Sequence, residues 1–270
     1  MSGMARMRAR TLISLAIRDC ESCEVPVEPL SPIVLSNFKA TNTATVCGRL
    51  FRRGFRNVLL LNVKALGQVT ATMVGPAYTL RFIPAREDLD AFGIQPDANV
   101  IQREAFEEAP PGHVLVMDCR EETRAACCGD ILVSRLMVRG GAGIVTDGGV
   151  RDSQQISRME IPVFAAAPSP PVNRVVHHAL EHGRPIACGG VAVYPGDVVV
   201  GDADGVVIVP RNIAADVAAE AVEQDAMEAW LAKRVLAGAS LAGTFPPSAE
   251  TLAEYKAWAA QQEKVANGHR

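Results

Sequence analysis

The apolar positions along the chain change period several times, and each change predicts an element. Val114-Leu115-Val116-Met117 is an unbroken aliphatic run fed by the turn Pro110-Pro111-Gly112 and closed by Asp118. That is the pattern of a strand buried on both faces. Residues 129–138 have helical spacing and Gly143-Ile144-Val145-Thr146 is a second buried run, which together predict a β-α-β unit. Residues 162–164 repeat the strand pattern. Residues 69–81 alternate as a strand, and the Gly75-Pro76 break within them predicts a bulge or an edge position. One helix is predicted over 35–55, starting near Thr41 or Thr43, with Val46, Leu50 and Phe51 on one face and Gly54 at its end. The turns at Pro195-Gly196-Asp197 and Asp202-Ala203-Asp204-Gly205 flank residues 198–200 and 206–209 as a hairpin. After Pro210, Asn212 is placed as the N-cap of a long amphipathic helix carrying Ile213, Val217, Val222 and Leu231, which closes before Gly238. Ser248 caps a last helix with Leu252, Tyr255 and Ala259 as its stripe.

These elements divide the 270 residues into an N-terminal extension (1–34), an α/β domain (35–236) and a C-terminal helical arm (237–270). Hydrophobic residues at 49% and charged residues at 21% describe a chain that folds, which excludes intrinsic disorder for its bulk. Aromatics at 5% leave the core to Val, Ala, Leu and Ile. Lys and Arg number 27 against 30 Asp and Glu, so no overall field attracts nucleic-acid phosphates. Seven irregularly spaced cysteines do not read as a disulfide framework and point to a reducing compartment. No apolar run reaches the roughly 18 residues that cross a bilayer. Arg6, Arg8 and Arg10 precede a short apolar segment that lacks a signal-peptide cleavage site, so the expected location is cytoplasmic.

The densest chemical text is Thr146-Asp147-Gly148-Gly149-Val150-Arg151-Asp152, immediately after a buried strand, where open α/β folds place ligands. Glycines admit close backbone approach, Arg151 supplies a fixed cation and Asp152 a hard oxygen ligand. The same pair also reads as an Arg-Asp brace of a turn. Upstream, Gly129-Asp130-Ile131-Leu132 opens a helix whose free amides and dipole suit a carboxylate.

Together with Gly189-Gly190-Val191-Ala192-Val193-Tyr194-Pro195-Gly196-Asp197, Asp202-Ala203-Asp204-Gly205-Val206-Val207 and Gly75-Pro76-Ala77-Tyr78-Thr79, these segments resemble the family of 4-hydroxy-4-methyl-2-oxoglutarate aldolases and regulators of ribonuclease E activity. The resemblance runs over about residues 41–222. It implies a swivelling β/β/α-type domain, with central sheets covered by helices, assembled as a homotrimer or dimer of trimers. It also implies a class II aldolase and decarboxylase that depends on Mg²⁺ or Mn²⁺. Such an enzyme would cleave 4-hydroxy-2-oxo acids or oxaloacetate through a stabilised enolate and release pyruvate. Carried over residue by residue, Asp152 would ligate the metal and Arg151 would bind the pyruvyl unit. The backbone of Gly129, Asp130, Ile131 and Leu132 would hold the carboxylate, and the Asp130 side chain would orient a water of the metal shell. An acidic residue from a neighbouring subunit is implied too, with Glu223 and Glu228 as candidates. The regulator branch lacks the aspartate corresponding to Asp152, which this chain keeps. The alternatives are a non-catalytic regulator of ribonuclease E and a lyase or dehydratase acting on another sugar-derived oxo acid.

Other conspicuous residues carry plainer readings. Cys20 and Cys23 have zinc-like spacing but no second pair, Cys127-Cys128 reads as packing, and His178 and His182 are placed four apart on a solvated helix face. Arg49, Arg52, Arg53 and Arg56 read as a solvated or subunit-facing helix surface. Arg81 and Arg86 extend, on a second reading, towards an anionic substrate.

Overall fold

Strands that are apolar along their whole length need cover on both faces, and the architecture supplies it. The computed structural model describes residues 29–90 and 100–267, with side chains through residue 262. Helices α1 (Pro32–Lys39) and α2 (Thr43–Arg52) precede β1 (Lys64–Ala65) and the long β2 (Met73–Pro84). Next come α3 (Glu87–Asp90), α4 (Val100–Glu108), β3 (Val114–Asp118), β4 (Ala126–Cys128), α5 (Asp130–Val138), β5 (Gly143–Thr146) and β6 (Gly149–Val150). After α6 (Ser153–Ile156) run β7 (Val163–Ala165), β8 (Ala167–Pro168) and β9 (His177–His182). Two hairpins follow, β10 (Ile186–Cys188) with β11 (Val191–Val193) and β12 (Val198–Asp202) with β13 (Gly205–Val209), and then α7 (Ala214–Leu236) and α8 (Ala249–Asn267).

The main sheet has the order β1-β7-β5-β3-β2-β12-β13, with β9 also on β2. Strands β7, β5, β3 and β2 are parallel; β12, β13, β9 and β1 pair antiparallel. Leu59 bridges to Val207 and Leu60 N–H donates to Val206 C=O at 2.9 Å, so the segment leading into β1 touches β13 and the sheet nearly closes into a barrel. Strand β3 shows why its run is continuous: Val114 and Val116 face the barrel interior with Val145, Phe164 and Val199, while Leu115 and Met117 face a layer with Phe106 and Leu136. On the hairpin side, Val198 and Val200 pack under Phe38, Val46, Leu50, Val217 and Ala218 of α1, α2 and α7. Strands β4, β6 and β8 form a separate, all-parallel sheet of three.

Several sequence expectations are corrected by tertiary pairing. The single helix over 35–55 is two: Ser31 caps α1, and Asn42, accepting from Thr45 N–H at 2.9 Å, caps α2. Phe51 lies 60% exposed, off the face of Val46 and Leu50. Gly75-Pro76 is neither edge nor bulge, because β2 is central and its register shift falls between Arg81 and Phe82. Ala77 N–H donates towards β12, at Asp197 C=O, so the side of Pro76 that lacks a donor faces β3, whose pairing begins only at Ala77. A proline is tolerated where no ladder bond is required. Asn212 sits in a 3₁₀ turn (Arg211–Ile213) and α7 starts without a side-chain cap; Val222 is half-buried, and Ala214 and Ala221 complete the buried stripe. His178 and His182 are on strand β9, opposite Ile83 and Leu80.

In the arm, Ser248 Oγ accepts from Thr251 N–H at 3.2 Å as expected of a cap. Helix α8 folds back on α7 through Trp230, Tyr255 and Trp258, with an Arg234–Glu254 ion pair at 2.7 Å. Among the described residues, no helix is long and apolar enough to cross a membrane.

Candidate functional site

The three parallel strands β4, β6 and β8 end together, and their ladder continues one residue further. Arg151 N–H donates to Cys128 C=O at 3.1 Å and Ser169 N–H to Val150 C=O at 2.9 Å. Gly129, Arg151 and Ser169 therefore stand in a row at the C-terminal edge of this sheet. Gly129 is the N-cap of α5 and contributes no side-chain cap, leaving first-turn amides available. A Cβ on Gly129 would stand 2.7 Å from Asp152 Oδ2 and 2.8 Å from Arg151 Cγ, so only glycine admits both side chains here. Arg151 Nε donates to Asp152 Oδ2 at 3.1 Å. Asp152 itself adopts φ 58°, ψ 32°, and its carbonyl accepts from Gln155 and Ile156 at 3.0 Å each. A non-glycine residue in the left-handed region beside a cleft is strain of the kind that collects at functional sites.

The structure thus brings together three of the residues singled out in the sequence: Gly129, Arg151 and Asp152. Asp130 opens α5 and is half-buried. Ile131 is 80% exposed and Leu132 packs its side chain on the core, so what these two present to the row is backbone. Glu223 and Glu228 lie on α7, within the helical layer formed with α1 and α2.

Beneath the row, two buried carboxylates hold the loops at the ends of β3 and β5. Asp147 accepts from the backbone N–H groups of Cys119 (2.6 Å), Glu121 (3.2 Å) and Gly189 (3.2 Å). Burial pushes its carboxyl up to about 6. Asp118 accepts from Arg120 at 2.9 Å and Ala187 at 3.3 Å, and burial raises it as well. Thr146 Oγ1 meets Cys119 Sγ (3.3 Å), Cys127 Sγ (3.4 Å) and Gly148 N–H (3.0 Å). Cys127 and Cys128 are buried in the core cluster, in keeping with packing. The clamping role of Asp147 and the position of Ser169 were not read from the sequence. The available signals were an aspartate directly after a buried strand and a serine between two prolines.

Most of the other cations and the two histidines singled out in the sequence have partners elsewhere. Arg53 pairs with Glu220 at 2.5 and 2.8 Å, Arg49 with Gln224, and Arg56 stacks over Phe51 at 4.1 Å, so much of this cluster braces its own fold. Arg81 pairs with Glu181 and Arg86 with Asp88. His178 pairs with Asp90 at 2.9 Å and His182 with Tyr78 at 2.8 Å. Cys20 and Cys23 lie outside the described residues.

Among the described residues, no three His, Cys, Asp or Glu side chains converge as a metal-ligand set. The single carboxylate of Asp152, seated where a Cβ on residue 129 would intrude, instead fits a hard ion such as Mg²⁺, which keeps much of its water and binds through one or two carboxylates.

Fold and site define an α/β protein with a polar, carboxylate-bearing site at the C-terminal edge of a small parallel sheet. The chain belongs to the RraA-like family (Aldolase/RraA), whose model matches residues 43–208. A Halalkalibacterium halodurans protein named "Putative 4-hydroxy-4-methyl-2-oxoglutarate aldolase" is 31% identical over 140 residues, 52% of this chain and 60% of that relative. A Bacillus cereus protein of the same name is 35% identical over 118 residues, 43% of this chain and 73% of the relative. Protein DlpA of Legionella pneumophila matches at 28% over 183 residues, 67% of this chain but only 28% of its own length. Among solved structures, Streptomyces coelicolor RraAS2, described as an unusual member of the RNase ES inhibitor RraA protein family, superposes with a TM-score of 0.68 at 30% identity, covering 76% of this chain and 98% of that one.

Proposed function

We propose that the protein is a divalent-metal-dependent carbon–carbon lyase that cleaves 4-hydroxy-2-oxo acids or oxaloacetate and releases pyruvate. The observation that carries this reading is the contact of Gly129, Arg151 and Asp152 at one strand edge, with Asp152 held in a left-handed backbone. The first-turn amides of α5 bind the substrate carboxylate, aided by the helix dipole. The Arg151 guanidinium clamps the adjacent oxo group in two-point geometry and neutralises charge that develops on its oxygen. Asp130, at the first position of the helix, orients water for proton transfer. Asp152 would hold Mg²⁺ or Mn²⁺, which when bound supplies Lewis-acid stabilisation of the enolate charge. The functional unit is a homotrimer or a dimer of trimers, in which Glu223 or Glu228 of a second copy approaches this edge.

The test couples pyruvate release to lactate dehydrogenase, with oxaloacetate and several 4-hydroxy-2-oxo acids offered with Mg²⁺ or with chelator. Asp152→Asn should lower kcat/KM by about 100-fold or more, the scale of losing one charge-stabilising group. Arg151→Lys should lose about tenfold or more, because an ammonium cannot reproduce the guanidinium fork. Turnover that survives both chelation and Asp152→Asn overturns the proposal. If instead immobilised protein retains ribonuclease E and no substrate turns over, the regulator reading takes its place.

A further inference from the structure

On the far side of Arg151 from Gly129 lies a cavity of about 330 Å³. Ser153, Gln154 and Gln155 form one wall, and Pro168, Ser169 and Pro170 the other. Ser169 is only 5% exposed, yet no described residue hydrogen-bonds its hydroxyl, which is left to the cavity. Its position is built: Gly149 lacks a Cβ that would stand 2.6 Å from Ser169 Cβ, and the parallel register places Ser169 beside Arg151 on the same face. A hydroxyl held in place this way is a ready hydrogen-bond partner for a polar group that enters the cavity.

Resting on the lyase reading above, we infer that this cavity receives the far half of the substrate and selects an uncharged one: a 4-hydroxy-2-oxo acid whose C4 bears hydrogen or alkyl groups rather than a second carboxylate. With the substrate carboxylate at the α5 amides and the oxo group at Arg151, the row Gly129–Arg151–Ser169 carries C4 to the Ser169 side. The walls offer two hydroxyls, two carboxamides and proline rings. Among the described lining residues the one cation is Arg151, which donates to Asp152. With Arg151 and the cation at Asp152 both engaged by the 2-oxo acid end, a second carboxylate would find no further cation among the described lining residues, whereas a C4 hydroxyl finds Ser169. In the reaction the C3–C4 bond breaks and its electron pair passes into the pyruvate enolate. The C4 hydroxyl gives its proton to the water that Asp130 orients, the far half leaves as a neutral aldehyde or ketone, and that water returns a proton to the enolate at C3.

Binding and turnover are measured separately on the full chain with Mg²⁺. Calorimetric titration with two 2-oxo acids that cannot be cleaved should show 2-oxopentanoate binding about tenfold more tightly than 2-oxoglutarate. The exposed Gln154→Lys change should narrow that preference about three- to fivefold, as one solvent-exposed ion pair allows. Ser169→Ala should raise KM for 4-hydroxy-2-oxopentanoate about fivefold, the loss of one hydrogen bond, with kcat and the melting temperature little changed. Equal or tighter binding of 2-oxoglutarate overturns the inference while leaving the lyase reading intact, and an unaltered KM removes Ser169 from the site. The neutral-over-acidic preference without turnover of any 2-oxo acid overturns the lyase reading but keeps the cavity assignment. Failure to bind either acid overturns both.

Discussion

Adding a single methyl group at Gly129 tests whether the strand-edge row is a working site. A Cβ there meets Asp152 Oδ2 at 2.7 Å and Arg151 Cγ at 2.8 Å, whereas ordinary contacts begin at 3.4 Å. Both side chains must therefore retreat by about 0.6 to 0.7 Å, and the Arg151 contact is with Cγ near its backbone rather than with the free end of its chain. The backbone itself is permissive, since φ −137° and ψ −176° suit any residue, so the effect of Gly129→Ala comes from crowding alone. Overpacking of this kind costs about 1–3 kcal/mol, and about 2 kcal/mol lowers Tm by roughly 6 °C in a chain of this size. Activity should suffer more, because displacing positioned groups by most of an ångström costs about 30- to 100-fold in kcat/KM. The assay is coupled pyruvate release alongside thermal melting, with the same substrates and Mg²⁺. Wild-type kcat/KM in a folded Gly129→Ala protein would refute the assignment of Arg151 and Asp152 to the reaction centre. A large fall in Tm with proportionate loss of folded protein would show a structural contact only.

Two further outcomes follow from buried and half-buried carboxylates. Asp147 holds its proton up to about 6 in the folded state, against an ordinary 3.8, so the native protein binds more protons than the unfolded chain between those values, and stability is lost as pH rises through that window. The full difference is worth about 3 kcal/mol. Asp147→Asn should therefore gain roughly that much relative to the parent between pH 4 and pH 7 in denaturant titrations, and an equal difference at both pH values would contradict the burial argument. Asp225 accepts from Thr41 Oγ1 (2.6 Å), Thr45 Oγ1 (2.5 Å) and Asn42 Nδ2 (3.3 Å), tying the start of α2 to α7. Asp225→Ala should lose about 2 kcal/mol by equilibrium unfolding without changing the substrate preference; a shift in that preference would place α7 nearer the chemistry than this chain alone shows.

Local pattern determined a good deal of this protein. The apolar run at 114–117 and the short run around Ile144-Val145 are strands with cover on both faces, and the β-α-β unit between them was readable from those runs and the helical spacing of 129–138. The turn chemistry of 195–205 fixed a hairpin, Gly129 to Leu132 stood out as a helix start and Arg151 with Asp152 as a charged pair after a buried strand, and their roles were what the family resemblance implies. What local pattern did not decide were partners. His178 and His182 fit a helix as well as a strand until β2 supplies hydrogen bonds across Leu80 and Ile83. Pro76 looks like an edge residue until β2 changes neighbours at that position. The site divides the same way: composition named its charged members, but only the parallel register of β4, β6 and β8 set Ser169 beside Arg151 and opened the cavity behind them. Residues 22 apart along the chain, Gly129 and Arg151, touch because the sheet ladder aligns their strand ends, and a ladder is a property of the folded chain.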